Sequence, residues 1–398
     1  MEILVINSGS SSIKFKFQDM DTKTCLASGV IEEIGSEHSK AKIEAGEFEK
    51  EVKEPIKSHE EGIEIMYRLL KESGTLKDIN DIEGIGHRIV QGADYFDKAA
   101  FVDSDVLAKI EELCPLAPLH NPAAVAGIKS CMSASKTPNV AVFDTTFHQS
   151  MPREAYMYAL PYEFYEKNKV RRYGAHGTSH WYVSRTAAEF LGVDYDKFNC
   201  ITLHLGNGSS ITAIKNGKCV DTSMGMTPLE GLMMGTRCGS IDPAIIAYME
   251  RVAGHGAQEM DAIMNKKSGL LGVCGTSDLR KVEEMMEAGD EKAKLAYDML
   301  VYQIVKLVGA YYAVLGKIDA IVFTGGIGEN ANILRERVCE KLAHFGIAID
   351  KAENNIRRKI NRDLSTSEAK IKTLIIPTNE ELAIAEQVVE VLKAKNLA

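Results

Sequence analysis

The chain has no run of 18 apolar residues, the length a helix needs to cross a bilayer. It also has no basic N-terminal stretch leading into a signal-type apolar segment: Glu2 is acidic, and the apolar run after it is only strand length. Its eight cysteines (25, 114, 131, 200, 219, 238, 274 and 339) are scattered without a CxxC pair. That excludes a disulfide framework and leads us to expect reduced thiols and a cytoplasmic protein. No broad basic face can be built from a formal net charge of −9 and a pI near 5.7. Nucleic acid and anionic membrane are therefore not expected as partners, and an anionic substrate must be drawn in by a few local cations and helix N-termini. Neither GxxxxGK[ST] nor GxGxxG occurs, which sets aside P-loop and Rossmann nucleotide sites.

What is present is the composition of a globular protein, 45% hydrophobic and 26% charged over 398 residues. That length exceeds one ordinary core and predicts two domains. LVINSGSSSIKFKF (4–17) reads as a strand that breaks at Asn7, runs through Gly and Ser, and resumes at Ile13. A turn longer than a two-residue hairpin, rich in hydroxyls and N–H donors with Lys14 just beyond, suits phosphate. FNCITLHLGNGSSITAIKNGKCV (198–220) repeats the pattern, strand, Gly/Ser turn, strand, about 200 residues later. The repetition predicts an internal duplication into two related α/β domains, residues 1–148 plus 376–398 and residues 149–375.

Elsewhere Ser58 with Glu61 marks a helix start and Gly74 its end, with Ile63, Met66, Leu69 and Leu70 on the apolar face. Asn121 before Pro122 reads as an N-cap, and NVAVFD is a buried strand ending at Asp144. Helices are expected near 242–253, 258–267, 278–288 and 291–315, then near 332–344, 350–360 and from about 380. Strands are expected at 319–326 and 371–376.

FTGGIGEN (323–330) ends a strand in glycines that allow close backbone approach to a ligand, with a helix expected just past Asn332. Arginines and histidines sit beside glycines in GHRIVQG (His87, Arg88), RRYGAHGTSH (Arg171, Arg172, His176, His180) and MGTRCGSIDP (Arg237). Each arginine suits a fork aimed at phosphate or carboxylate, or is an ordinary surface residue. His176 and His180 have the i,i+4 spacing of zinc ligands, but the HExxH glutamate and a third ligand are missing. Asp144 and Glu380, each at or just after a strand end, could hold a hard cation such as Mg²⁺ or cap a helix.

NSGSSSIKF, HRIVQG, APLHNP, FDTTFHQSMP, RRYGAHGTSH, HLGNGSS, GMTPLEGLMMGTRCGSIDP, FTGGIGEN and PTNEE resemble, in order and over essentially the full length, the motif set of the acetate kinase family. The resemblance implies two α/β domains of the actin/Hsp70/sugar-kinase type, a duplicated ribonuclease H-like fold with a central cleft. It implies a homodimer that converts ATP and acetate to ADP and acetyl phosphate with Mg²⁺, or Mn²⁺ in its place. By position it assigns Asn7 and Glu380 to the metal and Lys14 to the nucleotide phosphates. His204, Leu205, Gly206, Asn207 and Gly208, then Asp278, Leu279 and Arg280, then Gly326, Ile327, Gly328, Glu329 and Asn330 fall to the nucleotide. Arg88 falls to the substrate carboxylate or its phosphorylated form, Asp144 to the family's active-site position, and His176 and Arg237 to transition-state stabilisers. Val90, Leu119 and Pro228 fall to a small apolar pocket for the acyl methyl. A small carboxylic acid is already ionised at neutral pH, so Asp144 is expected to organise Mg²⁺ and not to take a proton.

This chain departs from the family at Ala175, where phenylalanine is usual, and the missing ring opens room unless a neighbour fills it. Gln91-Gly92 and Gly325 are further departures, expected to be minor. A propionate or butyrate kinase is the alternative on the same scaffold. A nucleotide-switched binding protein is the alternative from another class, although it would not need Arg88, Asp144, His176 and Arg237.

Overall fold

The computed structural model describes residues 1–118 and 120–397. It divides into two compact units, Met1–Phe147 with Asn379–Ala398, and His148–Thr378.

The first unit is built on one eight-stranded sheet. Its strands are β1 (Glu2–Gly9), β2 (Ser12–Asp19), β3 (Thr24–Glu32), β4 (Lys40–Ala45), β5 (Phe48–Lys53), β6 (Gly84–Ile89), β7 (Ala100–Phe101) and β8 (Asn139–Phe143), in the order β5-β4-β3-β2-β1-β6-β8-β7. β1 to β5 form an antiparallel meander, and β6 and β8 run parallel to β1. The period of two along β1 separates two cores. Leu4 and Ile6 pack with Ile63, Met66, Leu69 and Leu70 of the helix His59–Glu72. Ile3 and Val5 face Ile384, Val388 and Leu392 of the C-terminal helix Glu380–Ala394.

The second unit carries six strands, β9 (Cys200–Leu205), β10 (Ser209–Lys215), β11 (Lys218–Thr222), β12 (Ala320–Thr324), β13 (Arg362–Asp363) and β14 (Lys372–Ile375), ordered β11-β10-β9-β12-β14-β13. Three antiparallel strands are followed by two parallel ones, β12 and β14. The run β3-β2-β1-β6-β8 of the first unit is the same topology, so the duplication expected from the two Gly/Ser turns is present at the level of strand order. Each unit has the ribonuclease H-like arrangement.

The two faces of the second sheet differ. Ile201, Leu203, Leu205 and Ile211 belong to a core completed by Leu300, Ile304 and Val308 of the 25-residue helix Glu291–Leu315. By length and composition that helix could cross a membrane, yet one of its faces is built into this core. On the opposite face Thr202, His204, Ser210 and Thr212 are buried polar residues. The helix Gly177–Leu191, which the sequence reading did not anticipate, carries its own buried Ser179, His180 and Ser184.

Some local expectations need correction. β1 does not break at Asn7: the ladder runs on through Asn7↔Lys14 and Ser8↔Ile13 to Gly9↔Ser12, leaving Ser10 and Ser11 as the two-residue turn. Asn121 is not the N-cap of the helix Asn121–Ala134, a position held by His120. Its buried amide instead exchanges hydrogen bonds with the backbone of Gln91, at 2.9 and 3.2 Å. The helix expected past Asn332 is preceded by another, Gly325–Asn330, directly at the end of β12.

Candidate active site

In the first unit, parallel pairing of β1, β6 and β8 aligns their C-terminal ends, where Asn7, Arg88 and Asp144 lie. Asp144 is 2% exposed and accepts a bidentate fork from Arg88, Nε to Oδ1 at 3.0 Å and Nη2 to Oδ2 at 2.8 Å. Glu380, at the start of the C-terminal helix, lies 3.7 Å from the same Nη2. One guanidinium thus serves two carboxylates. The Coulomb field of Asp144 pushes the already high Arg88 pKa further up against the cost of burial. Burial pushes the Glu380 carboxyl up, Arg88 opposes this, and Asp144 adds to it.

Beside this cluster is a cavity of about 240 Å³ lined by Asn7, Ser8, Gly9, Ser12, Lys14, Arg88, Val90 and His120. Lys14 is exposed and sits opposite Asn7 in the β1–β2 register. Leu119 lies outside the described residues.

In the second unit a cavity of about 710 Å³ is lined by Gly206, Asn207, Ser277, Asp278, Leu279, Arg280, Glu283, Gly326, Ile327, Asn330, Ala331 and Arg357. This volume is that of a small-molecule site. Eight of the thirteen nucleotide residues expected in this unit line it, and the other five are its chain neighbours with other roles. Leu205 is buried in the core. The Glu329 carboxylate accepts from the backbone N–H of Gly325 and Thr378, at 3.1 and 3.3 Å. The Gly328 carbonyl accepts at 2.8 Å from Arg335, a 1% exposed arginine whose other bonds go to Asn354. Asp278 caps the helix Leu279–Glu287, and its pKa is lowered chiefly by its hydrogen bond to Arg280. Ser277, Glu283, Ala331 and Arg357 were missed. Of these only Arg357 had a signal in the sequence, the basic run Ile356-Arg-Arg-Lys.

Gly325 is not a minor feature here. Its φ is +76°, and a Cβ would meet the Leu205 carbonyl oxygen at 2.7 Å, so the turn requires glycine. Gln91, the other departure, closes its own turn by accepting from the Ala93 N–H at 2.8 Å.

Gly208, beyond Asn207 in the same turn, marks where His176 and Arg237 converge. A Cβ built on it would lie 3.4 Å from His176 Cε1 and Nε2 and 3.5 Å from Arg237 Nη1. Arg237 bonds the Pro228 carbonyl at 3.2 Å and approaches Met234 Sδ at 3.9 Å, and among the described residues it has no carboxylate partner. Burial therefore lowers its pKa with no charge to oppose the shift. His176 adopts a left-handed φ of 56° at the N-cap of Gly177–Leu191 and stacks on His204 at 4.2 Å between ring centroids. Its Nδ1 meets Ser210 Oγ at 2.9 Å.

Two arginines considered for anion binding serve the fold instead. Arg171 lies over the Tyr156 ring at 3.6 Å, and Arg172 bonds Glu230 at 2.7 Å and the carbonyls of residues 222–224. Both ring nitrogens of His180 meet hydroxyls, Thr202 Oγ1 and Ser210 Oγ, each at 2.7 Å. Ala175 is buried in a small cluster with Met224 and Met234, so two methionines pack where the phenyl ring is absent.

A family model described as the Acetokinase family matches residues 2–386. An acetate kinase of Campylobacter hominis is 60% identical over 395 residues, 98% of this chain and 99% of its own length. The crystal structure of an acetate kinase from Porphyromonas gingivalis superposes with a TM-score of 0.95 at 43% identity, over 98% of this chain and 99% of that one. A propionate kinase from Francisella tularensis superposes with a TM-score of 0.91, also at 43% identity and over the same shares of the two chains.

Proposed function

This chain belongs to the acetokinase family, and from that premise we propose that it is an ATP-dependent acetate kinase, transferring the γ-phosphoryl of ATP reversibly to acetate with release of ADP. The observation that carries the reading is Arg237: a partly buried cation that among the described residues has only neutral acceptors, beside His176 and next to a nucleotide-sized cavity. A loose phosphoryl-transfer transition state spreads negative charge over three equatorial oxygens, and such an arginine stabilises it by roughly 10³–10⁵ in rate. His176 adds a hydrogen-bond donor, and the Gly208 backbone leaves space for the transferring group.

Arg88 is the proposed ligand of the acetate carboxylate, with Val90 and Pro228 as the apolar wall. The nucleotide is assigned to the second-unit cavity, with Lys14 as an added phosphate contact. Glu380, Asn7 and Asp144 are the proposed Mg²⁺ donors. The donor chemistry fits: hard oxygens, with the mostly buried Glu380 carboxylate placed close to the Arg88–Asp144 pair. Mg²⁺ takes one or two carboxylates and keeps waters and phosphate oxygens for the rest of its shell. Bound there, it would neutralise charge on the phosphate oxygens.

The homodimer is supported by the helix Ala244–Ala253, which has no buried residue and lines up exposed Ile245, Tyr248 and Val252 after Ile241. Sedimentation of wild type against Tyr248→Lys tests it: an unchanged dimer would remove this face from the interface. The eight free cysteines support a cytoplasmic location, and secretion to the medium on cell fractionation would refute it.

The test of function is hydroxylamine trapping of acyl phosphate, with ATP and Mg²⁺ against formate, acetate, propionate and butyrate. Product with acetate is expected, and no product with any acid would overturn the reading. Propionate is the second reading, favoured by Ala175 and by the F. tularensis relative. Met224 and Met234 packed on Ala175 weigh toward acetate, so a preference for propionate would mean that these methionines yield.

A further inference from the structure

Three buried side chains form a continuous chain behind His176. Thr202 Oγ1 lies 2.7 Å from His180 Nδ1, His180 Nε2 lies 2.7 Å from Ser210 Oγ, and Ser210 Oγ lies 2.9 Å from His176 Nδ1. Thr202, His180 and Ser210 are each 0% exposed. They occupy the polar face of the second sheet, and Thr202↔Thr212 and Ser210↔His204 are neighbours in the β9–β10 register.

One hydroxyl satisfies only one nitrogen of a buried histidine, and here the second nitrogen leads on through Ser210 to His176, so the feature that needs explaining is the ordered alternation of hydroxyl and imidazole ending at the site. Each neutral imidazole has one N–H and one bare nitrogen, and each hydroxyl has one proton to give. A chain of such groups can therefore run in only two directions. The phosphoryl oxygens proposed to face His176 only accept hydrogen bonds, which selects the direction in which His176 Nε2 carries a proton. Ser210 then donates to His176 Nδ1, His180 Nε2–H donates to Ser210, and Thr202 donates to His180 Nδ1. Burial, reinforced by His148 and His204, pushes the His180 pKa well below its ordinary value, so this ring is neutral, as the chain requires. His204, stacked on His176 and held at Nδ1 by Ser179 Oγ at 2.7 Å, fixes the ring plane.

We propose that Thr202, His180 and Ser210 are positioning residues that hold His176 as the neutral Nε2–H tautomer aimed at the transferring phosphoryl group. The proposal rests on the kinase reading above. It predicts a loss confined to kcat, since the relay touches no substrate.

Thr202 provides the discriminating pair. Thr202→Val keeps the shape and deletes the hydroxyl, whereas Thr202→Ser keeps the hydroxyl and deletes a methyl. Expected is a fall in kcat of about tenfold for Thr202→Val, with KM for ATP and acetate unchanged, and a kcat within about twofold of wild type for Thr202→Ser. A purely packing role would reverse that order and overturn the proposal, as would wild-type kcat in Thr202→Val. Nitrogen-15 spectra of histidine-labelled wild type, assigned with His176→Gln, give a readout that needs no relay variant. In the presence of ADP, Mg²⁺, acetate and aluminium fluoride, His176 Nδ1 is expected bare and Nε2 protonated. A protonated Nδ1 would overturn the direction of the chain. If wild type makes no acetyl phosphate, the kinase reading fails first; if it does and Thr202→Val is unaffected, only the relay fails.

Discussion

Replacing Asp144 with asparagine changes one charge and almost no volume. Arg88 now makes two charge-assisted bonds to that carboxylate, at 3.0 and 2.8 Å, and Asp144 is 2% exposed. Asparagine retains one acceptor and sets an amide N–H₂ against a guanidinium N–H, so one bond is lost and a donor faces a donor. Two unit charges about 4 Å apart attract by roughly 4 kcal/mol at an effective dielectric of about 20. Two features reduce the net loss: the Arg88 side chain is 23% exposed, and Glu380, already 3.7 Å away, can take over the guanidinium. A destabilisation of about 1–3 kcal/mol is expected, read as a lower urea midpoint with an unchanged slope. Capture of Arg88 by Glu380 also takes a carboxylate from the proposed Mg²⁺ donors. Turnover at limiting Mg²⁺ should therefore fall steeply and recover as Mg²⁺ is raised. A variant with wild-type stability would refute the energetic reasoning, and one still inactive at saturating Mg²⁺ would refute the metal-organising role of Asp144.

Arg237→Ala should lower kcat by roughly 10³ or more in the acetyl phosphate assay, and Arg237→Lys should recover little, because an ammonium cannot reproduce the guanidinium fork. Gly269→Ala should prevent stable folding or lower the thermal midpoint severely, since φ is +61° and a Cβ would sit 2.1 Å from the Met234 carbonyl and 2.7 Å from that of Arg237. Gly254→Ala, with φ of +75° but nothing within 4 Å, isolates the backbone cost at about 1 kcal/mol. His87 is buried and its pKa is pushed down to about 4, against a hydrogen bond to Asn139 that favours the charged form. Between its ordinary value of 6.5 and about 4 the unfolded chain binds the proton and the folded chain does not. Stability is therefore full above 6.5 and declines as pH falls through that window, by about 3 kcal/mol at its foot. His87→Gln should flatten this slope in denaturation series, and an unchanged slope would place its origin elsewhere.

The duplicated strand–turn–strand pattern was legible because the alternation of apolar and polar residues survives in both copies. What misled at Asn7 was composition: Asn, Gly and Ser read as a break, yet β1 lies between β2 and β6, and pairing on both sides keeps the ladder intact to Gly9. The helix Gly177–Leu191 was invisible for the converse reason. Its buried positions include Ser179, His180 and Ser184, so the 3.6-residue period is carried by polar side chains that match the polar face of β9 and β10. Gly325–Asn330 reads as a turn because half of its residues are glycine, and no propensity rule makes it helical. Asn7, Arg88 and Asp144 lie at the aligned ends of parallel strands, a grouping that the sequence offered only through the family resemblance. That Arg88 is committed to Asp144, and that Arg237 has no carboxylate partner among the described residues, emerges only from the three-dimensional arrangement.

That contrast bears on how anions enter a protein of net charge −9. Arg88 is preassembled: its charge is balanced by Asp144 and, at longer range, by Glu380. A carboxylate arriving there exchanges one partner for another, so little net electrostatic energy is gained and binding should be weak and readily reversible. Arg237 holds its charge against burial with a carbonyl and a thioether for company. Under the proposed assignment, a phosphoryl oxygen arriving there would relieve a desolvation cost already incurred on folding, so the gain would be large and realised only where negative charge accumulates. Binding energy spread this way favours the transition state over the ground state. It follows that Arg88→Ala and Arg237→Ala should separate kinetically. The first should raise the KM for acetate more than it lowers kcat, because it strands the Asp144 and Glu380 carboxylates against an arriving carboxylate, and the second should do the reverse. Equal effects on both parameters in both variants would mean that the difference in charge balance between the two arginines has no kinetic consequence.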